Sequence, residues 1–289
     1  MLIASVSQWE TLTMSKEIKP SESRGKKTVT SADGTEIAFW KSGTGSPLVL
    51  VHGTVSDHRV WEAMGTQSPL EERFTVYAID RRGHGESGTD EPYEIERVFE
   101  DVAAVVDTID EPVTLFGISS GGVYALEAVH QTDNVGELIL YEPAVVMDDG
   151  EQAHHSLELA MELLTNGDEE EALSLFLQDV GHLLPEELDE FRSSPYWQDM
   201  SKLMHTVPNE IQAFVEYEFD PDTFRVMNTP TLLIHGSETS QNYKDGIKLL
   251  DDTLPNTEVA VMEGRGHVGC ATAPDVFIDL IDEFVQKSR

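Results

Sequence analysis

Basic residues are scarce in this chain of 289 residues, and acidic residues are abundant. Only 19 Lys and Arg side chains accompany 54 Asp and Glu, which gives a formal charge of −35. A surface this acidic repels phosphate groups, so the composition argues against nucleic-acid binding and against adhesion to anionic membranes. At molar salt the Debye length shrinks to about 3 Å, which screens the self-repulsion. The charge is typical of a halophile's protein, and an acidic surface without that origin is the alternative.

Cysteine and long apolar runs are also lacking. Cys270 is the only cysteine, which excludes an intramolecular disulfide and a metal cage built from thiolates. No apolar run reaches the roughly 18 residues that a membrane span needs. The first residues have neither the basic start nor the apolar core of a secretory signal. We therefore expect a cytoplasmic protein, and the sequence leaves open whether Met1 or Met14 is its true start.

Short, continuous apolar runs recur along the chain, with helical patterns between them. They occupy residues 47–51, 74–79, 113–116, 137–141, 231–234 and 259–262. Strands that are apolar on both faces are typical of a parallel sheet covered on both sides. An Asp-Gly pair at residues 33–34, between two alternating runs, predicts a hairpin ahead of them. The alternation of strands and helices predicts an α/β fold with a doubly wound, mostly parallel sheet.

The alternation stops between residues 146 and 228, where only helical patterns occur. This stretch holds 20 acidic and 3 basic residues, and we interpret the charge as the solvated outer face of amphipathic helices. We expect it to form a helical cap inserted into the sheet domain. The predicted division is residues 1–25 as a poorly ordered extension, 26–145 and 229–289 as the α/β core, and 146–228 as the cap.

The sequence Gly-Ile-Ser-Ser-Gly at residues 117–121 lies directly between a strand and a helix. Gly-x-Ser-x-Gly in that context is the pattern of a nucleophile elbow, in which the glycines permit a sharp turn and the serine projects from the sheet. Ser119 is therefore the candidate nucleophile. The backbone N–H groups of Ser120 and of Thr54, which follows a strand ending in His-Gly, are the candidate donors of an oxyanion hole.

A general base and an acid should follow the serine along the chain. In this arrangement the order is serine, acid, histidine, and His267 is the one histidine that lies late in the chain on a strand-to-helix loop. Two carboxylates at strand tips could orient it, Glu142 and Glu238. We favour Glu142, because it follows its strand directly and is fixed by Pro143. Glu238 belongs to a loop rich in Ser and Thr.

The sequence gives little indication of a cofactor or a metal. The glycine pattern at residues 83–88 matches a dinucleotide-binding fingerprint, but a polar loop follows it, so no helix N-terminus would face a pyrophosphate. The sequence has no P-loop lysine, no His-Glu-x-x-His pattern and no EF-hand spacing. His154 and His155 alone are a weak metal signal. We therefore expect no cofactor and no metal.

Taken together and in order, these motifs resemble those of the α/β-hydrolase superfamily. They are His-Gly-Thr at 52–54, Asp-Arg-Arg-Gly-His-Gly-Glu-Ser at 80–87, Gly-Ile-Ser-Ser-Gly-Gly at 117–122 and Gly-Arg-Gly-His at 264–267. The resemblance covers residues from about 26 to 289. The chain is similar to a capped subgroup of bacterial and archaeal hydrolases, with Asp-His-Arg-Val-Trp at 57–61 and Leu-Tyr-Glu-Pro at 140–143. It implies an eight-stranded sheet with an inserted cap, and a serine hydrolase that needs no cofactor.

Two positions depart from the family's pattern. The residue before the nucleophile is often His and here is Ile118, and the usual position of the acid holds Thr239. The second departure favours Glu142, whose position carries the acid in haloalkane dehalogenase relatives. Those relatives use a nucleophilic aspartate. Ser119 cannot form an alkyl-enzyme ester, which argues against dehalogenase and epoxide-hydrolase chemistry.

The expected substrate is a small, neutral and fairly apolar ester or lactone, cleaved through an acyl-enzyme. A C–C bond hydrolase or a cofactor-free perhydrolase, resembling the haloperoxidases, would use the same triad. A non-catalytic ligand-binding protein on the same fold is the alternative of another class. We expect a small-molecule partner, no nucleic acid and no membrane, and the sequence leaves open whether the chain is a monomer or a homodimer.

Overall fold

The computed structural model describes residues 24–89, 92–146 and 150–288. The extension predicted for residues 1–25 lies outside these residues, except for its last two, and Gly25 already begins the first strand. The hairpin predicted from Asp-Gly is confirmed, because the first two strands pair antiparallel on either side of it, with Thr30 opposite Glu36.

The described residues contain a single eight-stranded sheet, in the order β1-β2-β4-β3-β5-β6-β7-β8. Its strands are β1 (Gly25–Thr30), β2 (Glu36–Gly43), β3 (Ser46–Val51), β4 (Phe74–Ile79), β5 (Val113–Ile118), β6 (Val135–Tyr141), β7 (Thr231–Gly236) and β8 (Thr257–Met262). Strands β3 to β8 are parallel to one another, and β2 pairs antiparallel with both β1 and β4. The predicted doubly wound, mostly parallel sheet is confirmed.

The apolar runs of β3 to β7 bury side chains on both faces of the sheet. The expectation is wrong for β8, which lies at the edge of the sheet and leaves Val259 and Val261 exposed. Side chains alternate between faces along a strand, so Leu48 and Leu50 of β3 join one hydrophobic cluster, while Val49 and Val51 join the cluster on the opposite face. All four are fully buried. Continuous apolar runs, without a polar residue at every second position, follow from this double coverage.

Helices cover both faces of the sheet and fill the long connection between β6 and β7. They are α1 (Val60–Ala63), α2 (Gln67–Glu71), α3 (Ile95–Val106), α4 (Ser120–Ala128), α5 (Gly150–Asn166), α6 (Glu169–Leu175), α7 (Pro185–Ser193), α8 (Trp197–Lys202), α9 (Val207–Glu216), α10 (Gln241–Thr253), α11 (Gly269–Thr272) and α12 (Pro274–Ser288). Shorter π and 3₁₀ turns extend α6 and α8 and follow α9. Within the described ranges, none of the helices combines the length and apolar character needed to cross a bilayer.

Residues 150–226, called the helical segment below, form only helices and turns among the described residues. Many of its apolar side chains join the hydrophobic cluster that contains Leu48 and Leu50 of the sheet. Because β3 and β5 to β8 are parallel, their carboxyl ends meet at one edge of the sheet, and ligand sites of open α/β sheets form at that edge.

Candidate active site at the carboxyl end of the sheet

Ser119 occupies the turn between β5 and α4, in a backbone conformation that is strained for a residue with a Cβ atom. Its dihedral angles are φ 55° and ψ −126°, a region that non-glycine residues rarely adopt. The glycines on either side of it are required because backbone atoms of neighbouring segments lie too close to leave room for a Cβ atom. A Cβ atom at Gly121 would lie 2.4 Å from the carbonyl oxygens of Val51 and His52, and one at Gly117 would lie 2.3 Å from the oxygen of Gly121. The local geometry is that of a nucleophile elbow.

Glu142 and His267 form a buried hydrogen-bonded pair. Glu142 follows β6, and its Oε2 atom lies 2.7 Å from Nδ1 of His267, on the loop after β8. Two further donors fix the carboxylate: the N–H of Gly236 at 2.7 Å from Oε1 and the hydroxyl of Thr239 at 2.8 Å from Oε2. A carboxylate on Nδ1 sets the tautomer of the ring and leaves Nε2 free to accept a proton.

The alternative acid, Glu238, does not approach His267. Its side chain is exposed and accepts a hydrogen bond from the hydroxyl of Ser237 at 3.1 Å, and its backbone N–H donates to the carbonyl oxygen of Arg265. The next residue, Thr239, stands where the family's usual acid is found and points to Glu142. Glu142 is therefore buried and points to His267, whereas Glu238 is exposed and points elsewhere.

Tyr243 of α10 contacts His267 and is a residue that the sequence analysis did not single out. The two rings are stacked, with centroids 4.2 Å apart and planes at 8°. Both rings line the same cavity. Stacking on one face, together with the hydrogen bond to Glu142, limits the rotation of the imidazole. An aromatic residue on an amphipathic helix gives no sequence signal of this role.

The two candidate oxyanion donors lie beside Ser119. The N–H of Ser120 is the first of α4 and so has no acceptor within the helix. The hydroxyl groups of Thr54 and Ser120 are 3.0 Å apart, which brings the two loops together. A Cβ atom at Gly53 would lie 3.3 Å from Cβ of Ser119, so the loop after β3 packs directly against the turn that carries Ser119. This arrangement can hold a developing negative charge next to Ser119.

A cavity joins these residues to the helical segment. Both Ser119 and His267 line it, and its empty space together with the open solvent at its mouth amounts to about 960 Å³. The helical segment contributes much of its apolar wall: Phe176, Leu177, Phe191, Met200, Ile211 and Phe214. The described residues that line the cavity include no Lys, Arg, Asp or Glu. A wall of this kind accommodates neutral, apolar ligands.

Glu187 of α7 is a second buried carboxylate near His267, and the sequence analysis did not name it. Its side chain is 1% exposed. Oε1 accepts the N–H of Val268, the residue after His267, at 3.3 Å, and Oε2 accepts the N–H of Leu184 at 3.0 Å. Burial raises the pKa of Glu187, against the lowering effect of the hydrogen bond from Leu184. The helical segment thus holds the loop that carries His267.

One group of three potential metal ligands occurs among the described residues. Atoms of Asp57, His58 and Asp80 lie within 4.8 Å of one another. Asp57 accepts hydrogen bonds from Arg59 and from the hydroxyl of Tyr196. Asp80 Oδ1 lies 2.8 Å from both the backbone nitrogen and Nδ1 of His58. These ligand atoms are engaged within the protein, so the group gives no reason to expect a bound metal.

Comparisons with known proteins agree with this geometry. Residues 48–280 match the sequence model of the alpha/beta hydrolase family. An alpha/beta hydrolase from Sphaerobacter thermophilus is 31% identical, with coverage of 90% of this chain and 100% of that one and a TM-score of 0.74. An esterase from Rhodococcus sp. is 22% identical, with coverage of 91% and 99% and a TM-score of 0.77. The pimeloyl-(acyl-carrier protein) methyl ester esterase of Aeromonas hydrophila is 25% identical over 256 residues, with coverage of 86% and 99%. The chain belongs to the alpha/beta hydrolase family.

Proposed function

We propose that this chain is a serine hydrolase that cleaves small, neutral, fairly apolar esters or lactones through an acyl-enzyme. One observation carries the proposal: Ser119 and His267 open onto the same apolar cavity, and the carboxylate of Glu142 lies 2.7 Å from Nδ1 of His267. Two of the relatives described above are esterases, which supports ester cleavage as the reaction. The lack of charged side chains among the described lining residues supports a neutral substrate.

The proposed reaction has two halves. His267 Nε2 takes the proton of Ser119 Oγ as Oγ bonds to the substrate carbonyl carbon, and the resulting oxyanion is held by the N–H groups of Thr54 and Ser120. The imidazolium, stabilised by Glu142, then protonates the leaving alcohol as the ester C–O bond breaks. In the second half a water molecule attacks the acyl group, His267 takes its proton, and Ser119 is released with the carboxylic acid product.

The domain division is part of the same proposal. We infer that residues 26–145 and 229–289 form the catalytic core and that residues 146–228 form a cap over the nucleophile. The apolar side chains that the helical segment contributes to the cavity support this division. In such an arrangement the cap sets the shape of the acyl group that fits, while the core carries the chemistry.

The test is hydrolysis of p-nitrophenyl acetate and butyrate in molar KCl, together with labelling by a fluorophosphonate. We expect Ser119→Ala to abolish the label and to reduce hydrolysis to the residual level that the oxyanion hole and binding alone support. Ser68→Ala, an exposed serine, is the matched control and should behave as the wild type. Full labelling of Ser119→Ala would refute the assignment, and a wild type without hydrolysis of esters, lactones or diketones would favour a binding protein.

A further inference from the structure

The carbonyl oxygen of Gly53 is held by two buried donors. Nδ1 of His52 lies 2.8 Å from it, and Nη2 of Arg81 donates to it at 2.9 Å. This oxygen belongs to the same planar peptide unit as the N–H of Thr54. Because the unit is rigid, whatever fixes the oxygen of Gly53 also fixes the direction in which the N–H of Thr54 points.

The protonation of His52 follows from its neighbours. The backbone N–H of Arg81 donates to Nε2 at 3.2 Å, so the ring proton is on Nδ1, where it can be donated to Gly53. Burial holds the pKa of His52 well below its usual value, and the positive charge of Arg81 lowers this pKa further. The ring is therefore neutral. The 3.4 Å approach of Arg81 Nε to Nδ1 is not a hydrogen bond, since both atoms carry a proton.

Arg81 is held in turn by the helical segment. Its Nη1 atom donates to Oε2 of Glu210 in α9 at 2.9 Å, and both side chains are fully or almost fully buried, at 0% and 1% exposure. The guanidinium also lies over the ring of Tyr124, 4.9 Å from its centroid. A guanidinium can serve two acceptors with different N–H groups of one rigid plane, and here these acceptors are Glu210 and the oxygen of Gly53.

Glu210 is itself fixed by further contacts. Nε2 of His84 lies 3.0 Å from its Oε1 atom, and the hydroxyl of Thr206 donates to the same oxygen at 3.0 Å. Burial acts to raise the pKa of Glu210, but the charges of Arg81 and then of His84 outweigh it and lower that pKa to about 2. The carboxylate is therefore ionised at neutral pH, as an ion pair with Arg81 requires.

We propose that Arg81 is a positioning residue for the oxyanion donor Thr54, and that Glu210 of the helical segment fixes Arg81 in that role. The inference rests on the proposed function, since it needs the Thr54 N–H to face an oxyanion. A charged donor on the oxygen of Gly53 also polarises the peptide and makes the N–H a stronger donor. Through this single ion pair, the helical segment contributes to the chemistry as well as to the cavity wall.

The chain offers a matched control at the next position. Arg82 is also buried, at 1% side-chain exposure, and pairs with Asp101 at 2.7 Å and with Asp33 at 2.9 Å. Its hydrogen bonds go to these carboxylates and to the carbonyl oxygen of Arg97, away from the loop that carries Gly53. Substitution of Arg82 therefore breaks a buried ion pair of the same kind without touching the proposed oxyanion hole.

The experiment compares Arg81→Lys, Glu210→Gln and Arg82→Lys on p-nitrophenyl butyrate, in molar KCl and well below the unfolding midpoint of each variant. Loss of one oxyanion donor typically lowers kcat about 10²–10³-fold. In Arg81→Lys and Glu210→Gln the N–H of Thr54 is displaced but still present, so we expect kcat to fall about 10–100-fold. KM should stay within about 2-fold, because the effect belongs to the transition state. The affinity of a trifluoromethyl ketone, whose adduct resembles the tetrahedral intermediate, should fall by the same factor as kcat/KM. Arg82→Lys should keep kcat within about 3-fold of wild type.

Two results would overturn the proposal. Equal losses of kcat in Arg81→Lys and Arg82→Lys would mean that the arginines only support the fold, and a loss confined to KM would place the effect in substrate binding. If circular dichroism shows that Arg81→Lys does not fold, the nearly isosteric Glu210→Gln provides the same comparison. Failure of the proposed function would show separately, as a wild type whose hydrolysis does not depend on Ser119.

Discussion

Charged side chains are placed differently in the sheet and in the helical segment. Strands β3, β4, β5 and β7 contain no Asp, Glu, Lys or Arg, and their apolar side chains bury both faces. The helical segment is strongly acidic, yet two of its carboxylates, Glu187 and Glu210, are each only 1% exposed. The interpretation of its charge as a solvated outer face is therefore wrong for these two residues. Apolar burial forms the sheet, whereas the helical segment is attached to it both by apolar packing and by buried polar contacts.

These polar contacts are directional. Glu187 accepts the N–H of Val268, Glu210 pairs with Arg81, and the hydroxyl of Tyr196 donates to the buried carboxylate of Asp57. A buried charge without its partner costs several kcal/mol, on the order of 3–5 when one side of a buried pair is removed. A displacement of the helical segment would break such contacts, so they fix its position more sharply than apolar packing alone.

The largest effect is expected on the sheet side of this comparison, at the tip of β6. Glu142→Gln should lower kcat about 10³–10⁴-fold with a smaller change in KM, because the amide cannot stabilise the imidazolium of His267. Glu238→Gln is the matched control and should change kcat by less than about 2-fold, since that exposed side chain does not approach the imidazole. Steady-state kinetics on p-nitrophenyl butyrate measure both. The reverse ranking would transfer the role of the acid to Glu238.

The sheet and the strand tips could be predicted from the sequence because their signals are local. Strands β3 to β7 each contain a mostly apolar run, and Ser119 and Glu142 each follow such a run directly, so their places at one edge follow from the topology. Thr54 and Ser120 belong to motifs of the same kind. Their catalytic roles remain proposals.

The contacts of the helical segment could not be predicted, because they depend on partners far away in the chain. In an amphipathic helix, Glu210 has the same sequence context whether it faces water or Arg81, 129 positions earlier. The same holds for Glu187 and, outside the helical segment, for Tyr243 of α10, which is stacked on His267. Only the packing of the segment on the sheet distinguishes a buried carboxylate from its many exposed neighbours.

The next largest effect is expected on stability, and it tests the buried ion pair between Arg81 and Glu210 of the helical segment. Arg81→Met leaves the carboxylate of Glu210 buried without its main partner, so the free energy of unfolding should fall by about 3–5 kcal/mol. Arg225→Met, which breaks the exposed pair with Asp222 in the same segment, should change it by less than about 0.5 kcal/mol. Urea unfolding in molar KCl measures both, because at that salt concentration exposed charges are screened and buried pairs much less so. Equal losses of unfolding free energy in the two variants would mean that the buried Arg81–Glu210 pair contributes no more to stability than the exposed Arg225–Asp222 pair.

The ion pair also predicts how stability depends on pH. The pKa of Glu210 is lowered from 4.5 to about 2 in the folded chain, so the unfolded chain binds a proton here first as the pH falls. The stabilisation is complete above about pH 5 and is lost between about pH 5 and 2, by at most about 1.4 kcal/mol per pH unit. Urea unfolding at several pH values should give a steeper decline for the wild type than for Glu210→Gln. Parallel curves would mean that this carboxylate does not contribute.

The smallest effect is expected at Thr239, where the loop after β7 meets Glu142, the proposed acid that directly follows β6. Thr239→Val removes the hydroxyl donated to Glu142 Oε2 and leaves the carboxylate with the N–H of Gly236 and with His267. One hydrogen bond is worth about 1 kcal/mol, so kcat should fall about 5-fold. Thr239→Ser keeps a hydroxyl and should retain most of the activity. If Thr239→Val does not change kcat, the contacts with Gly236 and His267 suffice to orient Glu142. The position that usually carries the acid in this family would then have no catalytic role in this chain.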